Sequence, residues 1–153
     1  MNKIILIIGL LSLSGCASLQ DKLNAIAARS TPGSYVAPEI TQSDADEVAM
    51  DMAQFLSVQL PPAKTTLDLQ LSSNKLHMKL IDQLMVRGFG IVQSKSLPEH
   101  QEGAVPLRYT VTPFDKGVLV ELRYAGLVAS RYLPRGNDGH LSLHNKYAVR
   151  GAK

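Results

Sequence analysis

His140 and His144 stand four residues apart, a spacing that helical metal ligands use. Two histidines at that distance face the same way only on a helix. Leu141-Ser142-Leu143 between them reads instead as strand or loop. No third ligand follows, and there is no His-Glu-x-x-His pattern, so both are expected to be polar surface histidines. His77 falls near the apolar face of a helical pattern, where a hydrogen-bonded, partly buried imidazole is expected, and His100 falls in a polar loop. Asp44, Asp46 and Glu47 crowd together as an acid/base set might, but they open a helical pattern. There the helix macrodipole accounts for their charge. No serine sits in a Gly-x-Ser-x-Gly elbow. Arg87-Gly88-Phe89-Gly90 has two glycines and closes a helix rather than opening one, which argues against a phosphate cradle. The chain is read as non-enzymatic, with no catalytic residues, no metal and no cofactor.

Cys16 carries the one strong chemical pattern. Lys3 supplies a positive start, Ile4–Leu11 is apolar apart from Gly9, and Leu13-Ser14-Gly15-Cys16 follows. A basic start, a short apolar run and small residues before a cut form a secretory leader. The run falls short of the roughly 20 apolar residues that a transmembrane helix needs. Its end resembles the lipobox of bacterial lipoproteins, in which the cysteine thiol takes diacylglycerol and the amine freed by cleavage is acylated. Cys16 is also the sole cysteine, which rules out an intrachain disulfide. Lipidation removes a thiol that an oxidising compartment would attack. Two or three acyl chains hold a protein far more firmly than the reversible binding of one. Ala17, where inner-membrane lipoproteins typically carry Asp, implies sorting to the outer membrane with the domain facing the periplasm.

The rest of the chain supplies elements to carry such an anchor. Residues 1–15 are the leader and 16–42 a lipidated tether, broken by Ser30-Thr31-Pro32-Gly33-Ser34. Leu19, Leu23 and Ile26 in the tether have helical spacing. A flexible segment of that length spans roughly 25–30 Å. Residues 43–133 form the globular domain. Ser43 is expected to cap a helix with Ala45, Val48, Ala49, Met52, Phe55 and Leu56 on its apolar stripe, and Pro61-Pro62 ends it. Thr65–Leu71 alternates as a half-buried strand with Leu67, Leu69 and Leu71 on one face. Ser73 or Asn74 caps a second helix that buries Leu76, Leu80, Ile81, Leu84 and Met85, and Gly88 stands at its C′ position. A short strand, Phe89–Gln93, is expected to pair in parallel with the first. A meander follows, with Leu107, Tyr109, Val111 and then Val118, Val120, Leu122, Tyr124 alternating with polar residues, and a third strand over Leu127–Leu133. Residues 134–153 are loop and basic tail. The fold class is α+β: a small two-layer sandwich with a mixed or antiparallel sheet of about five strands and two helices on one face.

Composition sets the limits. Apolar residues are 45% of the chain, enough for a core, while aromatics are 5% and Trp is absent, so aliphatic side chains must fill it. A net charge of +3 is too mild for a nucleic-acid binder, so no direct nucleic-acid binding is expected. Arg108, Arg123, Glu121 and several threonines form a polar sheet face. Arg131, Arg135, Lys146, Arg150 and Lys153, with Tyr132 and Tyr147 among them, make the C-terminal stretch either a solvated tail or a docking edge.

The order of motifs is similar to that of the TrbH family of conjugal-transfer lipoproteins. Leu60-Pro61-Pro62-Ala63-Lys64-Thr65-Thr66 resembles a Pro-Pro-Ala-x-Thr run before the first strand. Arg87-Gly88-Phe89-Gly90-Ile91-Val92 resembles an Arg-x-x-Gly-Tyr-Ala-Val run after the second helix. Leu107-Arg108-Tyr109 follows, and Val128-Ala129-Ser130-Arg131-Tyr132 resembles a Leu-Ser-Arg run. Phe89 and Ala129 depart from that pattern. The resemblance spans most of residues 45–135. It implies a structural or assembly subunit of a type IV secretion machine for mating-pair formation, with other channel subunits as partners and no catalytic residues. The rival from a different class is a stand-alone envelope lipoprotein that binds a lipid or glycan, which needs an apolar cavity.

Overall fold

The computed structural model describes residues 33–95 and 102–151. The leader, Cys16, the tether residues Leu19, Leu23 and Ile26, His100 and Lys153 lie outside the described residues. The elements run β1 (Tyr35–Val36), α1 (Gln42–Gln59), a 3-10 turn (Pro62–Lys64), β2 (Thr66–Gln70), α2 (Lys75–Val86), β3 (Gly90–Ser94), β4 (Val105–Phe114), β5 (Gly117–Tyr124), β6 (Leu127–Pro134) and β7 (Ala148–Gly151).

Local chemistry sets the ends of the helices. Thr41, rather than the expected Ser43, caps α1: its hydroxyl accepts from the Asp44 N–H at 3.1 Å while the Asp44 carboxylate accepts from the Thr41 N–H at 3.3 Å. This reciprocal box satisfies two backbone donors at once, which Ser43, two residues later and already inside the helix, does not do. Asn74 caps α2 by accepting from the His77 N–H at 2.8 Å. At the far end of α2, Gly88 has φ +93°, the left-handed region that a side chain disfavours. The N–H of Gly88 donates to Met85 and that of Phe89 to Leu84, the pair of bonds that defines a Schellman stop.

The sheet order is β3-β2-β4-β5-β6-β7, and β1 also pairs with β4. The expected strand–helix–strand unit is present: β2 and β3 pair in parallel, with Leu67 opposite Ile91 and Leu69 opposite Gln93. Strand β4 joins the other side of β2 in parallel and then runs antiparallel to β5, which runs antiparallel to β6. Seven strands are present where about five were expected. The two additions, β1 and β7, are short and lie in segments that read as tether and tail. Each forms because a long central strand offers it a free stretch: Val111 of β4 faces Val36, and Ala129 of β6 faces Val149.

Both helices pack on one face of the sheet. Met52, Leu56, Leu76, Leu80 and Leu84 meet Leu67, Leu69, Leu107, Val120, Leu122 and Leu133, all fully buried. The alternation read in β2, β4 and β5 holds, except that Leu71 lies past the end of β2 and is exposed, as is Met85 on α2. On the opposite face the polar surface is not all solvated. Asp68 and Arg108 are buried there, and the Arg108 guanidinium donates to the backbone oxygens of Asp68 at 2.7 Å and Leu107 at 2.8 Å. Burial lowers the pKa of Arg108.

Strands β5 and β6 are joined by Ala125 and Gly126, both at positive φ (47° and 72°), as a two-residue primed turn requires. Alanine is strained there by its Cβ. Ala125→Asn is expected to stabilise the protein by about 0.5–1 kcal/mol, read as a higher denaturant midpoint at an unchanged m-value. An unchanged or lower midpoint contradicts the turn assignment.

Candidate functional site

Asp44, Glu47 and Asp51 recur along α1 at spacings of three and four, so they project from one side of the helix, a turn apart. The macrodipole explains only part of this. Each carboxylate holds a piece of the C-terminal arm that follows β6. Asp44 takes Arg135 through both oxygens, at 2.8 and 2.9 Å. Glu47 takes the His140 ring Nδ1 on one oxygen and the Leu141 N–H on the other, each at 2.8 Å. Asp51 takes the Arg131 guanidinium on one oxygen and the Tyr147 hydroxyl on the other, the latter at 2.8 Å. Of the acidic trio read at the helix start, Asp46 has its bond within the helix alone, from the Gln42 amide at 2.8 Å.

The innermost of these contacts is buried. Arg131 sits at an inward position of β6, between Ala129 and Leu133, and both it and Asp51 are less than a tenth exposed. The Arg131 guanidinium also donates to the Leu143 carbonyl and lies 5.2 Å from the centre of the Tyr147 ring. Tyr147 in turn stacks on Phe55, with ring centres 4.0 Å apart. Burial pushes the Asp51 carboxyl up, against the opposing pull of Tyr147 and Arg131. Burial, followed by the Asp51 charge, pushes the Tyr147 hydroxyl far above the ordinary tyrosine range. At Asp44 burial acts upward, but the Arg135 and Thr41 hydrogen bonds outweigh it and hold the carboxyl below its usual value.

These contacts rearrange the expected surface. Arg131, read as part of a solvated tail or docking edge, is buried, and Arg135, still exposed, is held at the surface by Asp44. Lys146 and Arg150 remain exposed, with Arg150 no nearer than 4.0 Å to Glu121. His140 and His144 lie on an irregular segment rather than a helix. His140 is engaged by Glu47, and His144 lines a groove. His77 is buried between the Tyr109 hydroxyl and the Gln93 amide oxygen, each at 3.1 Å, an arrangement in which Nε2–H donates to Gln93 and Nδ1 accepts from Tyr109. Burial pushes the Tyr109 hydroxyl up to about 12. Among the described residues no group of three His, Cys, Asp or Glu side chains is placed to hold a metal ion.

A groove open to a ligand, about 430 Å³, lies between the second half of α1 and residues 143–149. Phe55, Val58, Leu143, Tyr147 and Val149 give it apolar walls, and Gln54, Asn145 and Lys146 give it a polar rim. Of its charged floor, Asp51 was not singled out in the sequence, and Arg131 was read as part of the basic C-terminal stretch. Each breaks a pattern there: Asp51 interrupts the apolar stripe of α1 beside Met52, and Arg131 occupies an inward position of an alternating strand. Two opposite charges at core-facing positions are the mark of a buried pair.

Removing one partner of a buried pair strands the other charge, at a cost of about 3–5 kcal/mol. Asp51→Leu and Arg131→Met are each expected to destabilise the protein by about that much, whereas the two together cost less than either alone. Additive losses in a denaturant double-mutant cycle would show that the two do not interact. The outer contact is sensitive to pH. The Glu47 hydrogen bond and charge raise the His140 pKa above its ordinary 6.5. Its contribution is therefore complete below pH 6.5 and lost as pH rises through the raised value. His140→Ala should lower the thermal midpoint below that pH and leave it unchanged in alkaline buffer. An equal loss at both ends of the range would contradict the ion pair.

Comparison with known families gives one match. The family model described as conjugal transfer protein TrbH matches residues 27–148, from ahead of β1 to the start of β7. Comparison with curated proteins and with solved structures finds no match. The family match takes in both helices, the sheet through β6 and the clasped arm, and the chain belongs to the TrbH family of conjugal transfer proteins.

Proposed function

We propose that this protein is a lipid-anchored subunit of the outer membrane that helps to assemble a conjugative type IV secretion apparatus. The observation that carries the reading is Leu13-Ser14-Gly15-Cys16-Ala17 directly upstream of a conjugal-transfer domain. In this reading acylated Cys16 is the anchor and residues 17–42 include the tether. The described helices are not long and apolar enough to cross a membrane. Confinement to a thin layer under the bilayer raises its effective concentration for partners in that layer and thereby promotes assembly. Its partners are other channel subunits, and its contribution is binding rather than catalysis.

The rival reading, a stand-alone carrier of a lipid or glycan, requires space between helices and sheet. That layer is filled by Met52, Leu56, Leu80, Leu84, Leu107 and Leu122, all fully buried, which favours an assembly role.

Cys16→Ala is expected to leave the leader uncut, to release the protein from the outer membrane and to lower mating frequency by about tenfold or more, given how much tethering adds to weak contacts. Mass spectrometry of the protein from its native host should find diacylglycerol on Cys16. An unmodified thiol there, or unchanged outer-membrane retention of the variant, would refute the anchor.

A further inference from the structure

The free edge of β7 and the groove beside it are two separate features that meet at one place. Strand β7 ends the sheet order, and among the described residues no strand pairs with its outer edge. All of its residues are exposed. A strand edge presents N–H and C=O groups in a row that another extended chain can pair with. The register sets the direction of each side chain. Val149 lies opposite Ala129, a fully buried core residue, so Val149 faces the helix side, and Arg150, opposite Val128, faces the other. The groove lies on the helix side, and Val149 is part of its wall.

Three apolar side chains left out of the core gather there. Val58 is 72% exposed, Leu143 47% and Val149 44%. A chain laid along β7 would place every second side chain against this wall and the alternate ones beside Arg150. The charge available to it is positive. Lys146 and His144 stand on the groove rim, and Arg150 stands on the far side of the strand. The carboxylate lining the groove, Asp51, is already held by Arg131 and Tyr147. A second copy of this chain meets the edge badly, because it would bring its own Lys146 and Arg150 against the same cations.

We infer that the β7 edge and its groove receive an extended segment of a partner protein in which apolar residues alternate with acidic ones. The inference deepens the assembly reading above and rests on it for the partner being a transfer-machine subunit. Main-chain pairing would supply affinity, while the apolar wall and the cations would select the sequence.

The test uses purified full-length protein in detergent micelles and a fluorescent peptide of alternating valine and glutamate, read by anisotropy. The peptide should bind, and its valine–lysine counterpart should bind about tenfold or more weakly. A backbone N-methylated version should lose binding, because it cannot pair with a strand edge. Lys146→Glu with Arg150→Glu, both exposed and harmless to the core, should weaken the acidic peptide by a similar factor, and Val149→Glu should do so independently. Failure of the acidic peptide to bind, equal binding of the N-methylated or a scrambled peptide, or occupation of the edge by a second copy would overturn the inference. Mating assays separate the two levels. If Cys16→Ala abolishes transfer while the β7 variants transfer normally and the peptide does not bind, the docking edge falls and the assembly reading stands. If the peptide binds as described while Cys16→Ala transfers normally, the reverse holds.

Discussion

A buried charge pair between the first helix and the last long strand decides how this protein ends. Asp51 and Arg131 are 80 residues apart in sequence and face each other in the core layer. Neither is tolerable there alone, since an unpaired ion in a medium of low polarity is expensive. Once paired, they leave further capacity: Arg131 has a donor for the Leu143 carbonyl, and Asp51 has an oxygen for the Tyr147 hydroxyl. The pair thereby reaches outward to both ends of an irregular segment that has no regular hydrogen bonding of its own. Glu47 and Asp44 repeat the arrangement one and two turns up the helix, with the more exposed partners His140 and Arg135. Apolar packing completes it, with Leu141 in the core and Tyr147 stacked on Phe55.

The arm's fixation shapes the surface that remains. Holding residues 143–147 against α1 creates one wall of the groove, and leading the chain into β7 creates the open edge beside it. Had the basic residues been a free tail, they would form a diffuse positive cloud with no shape. Instead, Arg131 is buried against Asp51, Arg135 is held at the surface by Asp44, and Lys146 and Arg150 stay exposed beside an apolar wall. In the proposed assembly role, a fixed edge binds more tightly than a mobile one, because less conformational freedom is lost on binding.

The rest of the fold is economical with special features. One strand–helix–strand unit and one meander share a single sheet, and β4 joins them by running parallel to β2 and antiparallel to β5. Among the buried polar groups between the layers, His77 is satisfied on both ring nitrogens, by Tyr109 and Gln93. Such groups fix one arrangement of neighbouring strands and helix, because a shifted register would leave each of them unpaired.

Much of this was legible in the residues alone, for physical reasons that are local. The apolar period of α1 and α2, the alternation of β2, β4 and β5, the stop at Gly88 and the turn at Ala125-Gly126 each follow from neighbours within a few positions. The lipobox pattern at Cys16 is likewise a run of adjacent residues, and so are the motifs that resemble the family. What the residues alone left undecided depends on groups far apart in the chain. Strands β1 and β7 are too short to declare themselves and exist because β4 and β6 offer them free stretches. The cap at Thr41 rather than Ser43 depends on which of two nearby hydroxyls meets the Asp44 N–H. The acidic stripe read as a response to the helix dipole, and the arginines read as a tail, found each other only when the sheet brought β6 beneath α1. A sequence shows which charges stand at positions that will face inward, but only the folded chain fixes their separation, and the energy of a buried pair depends on that distance.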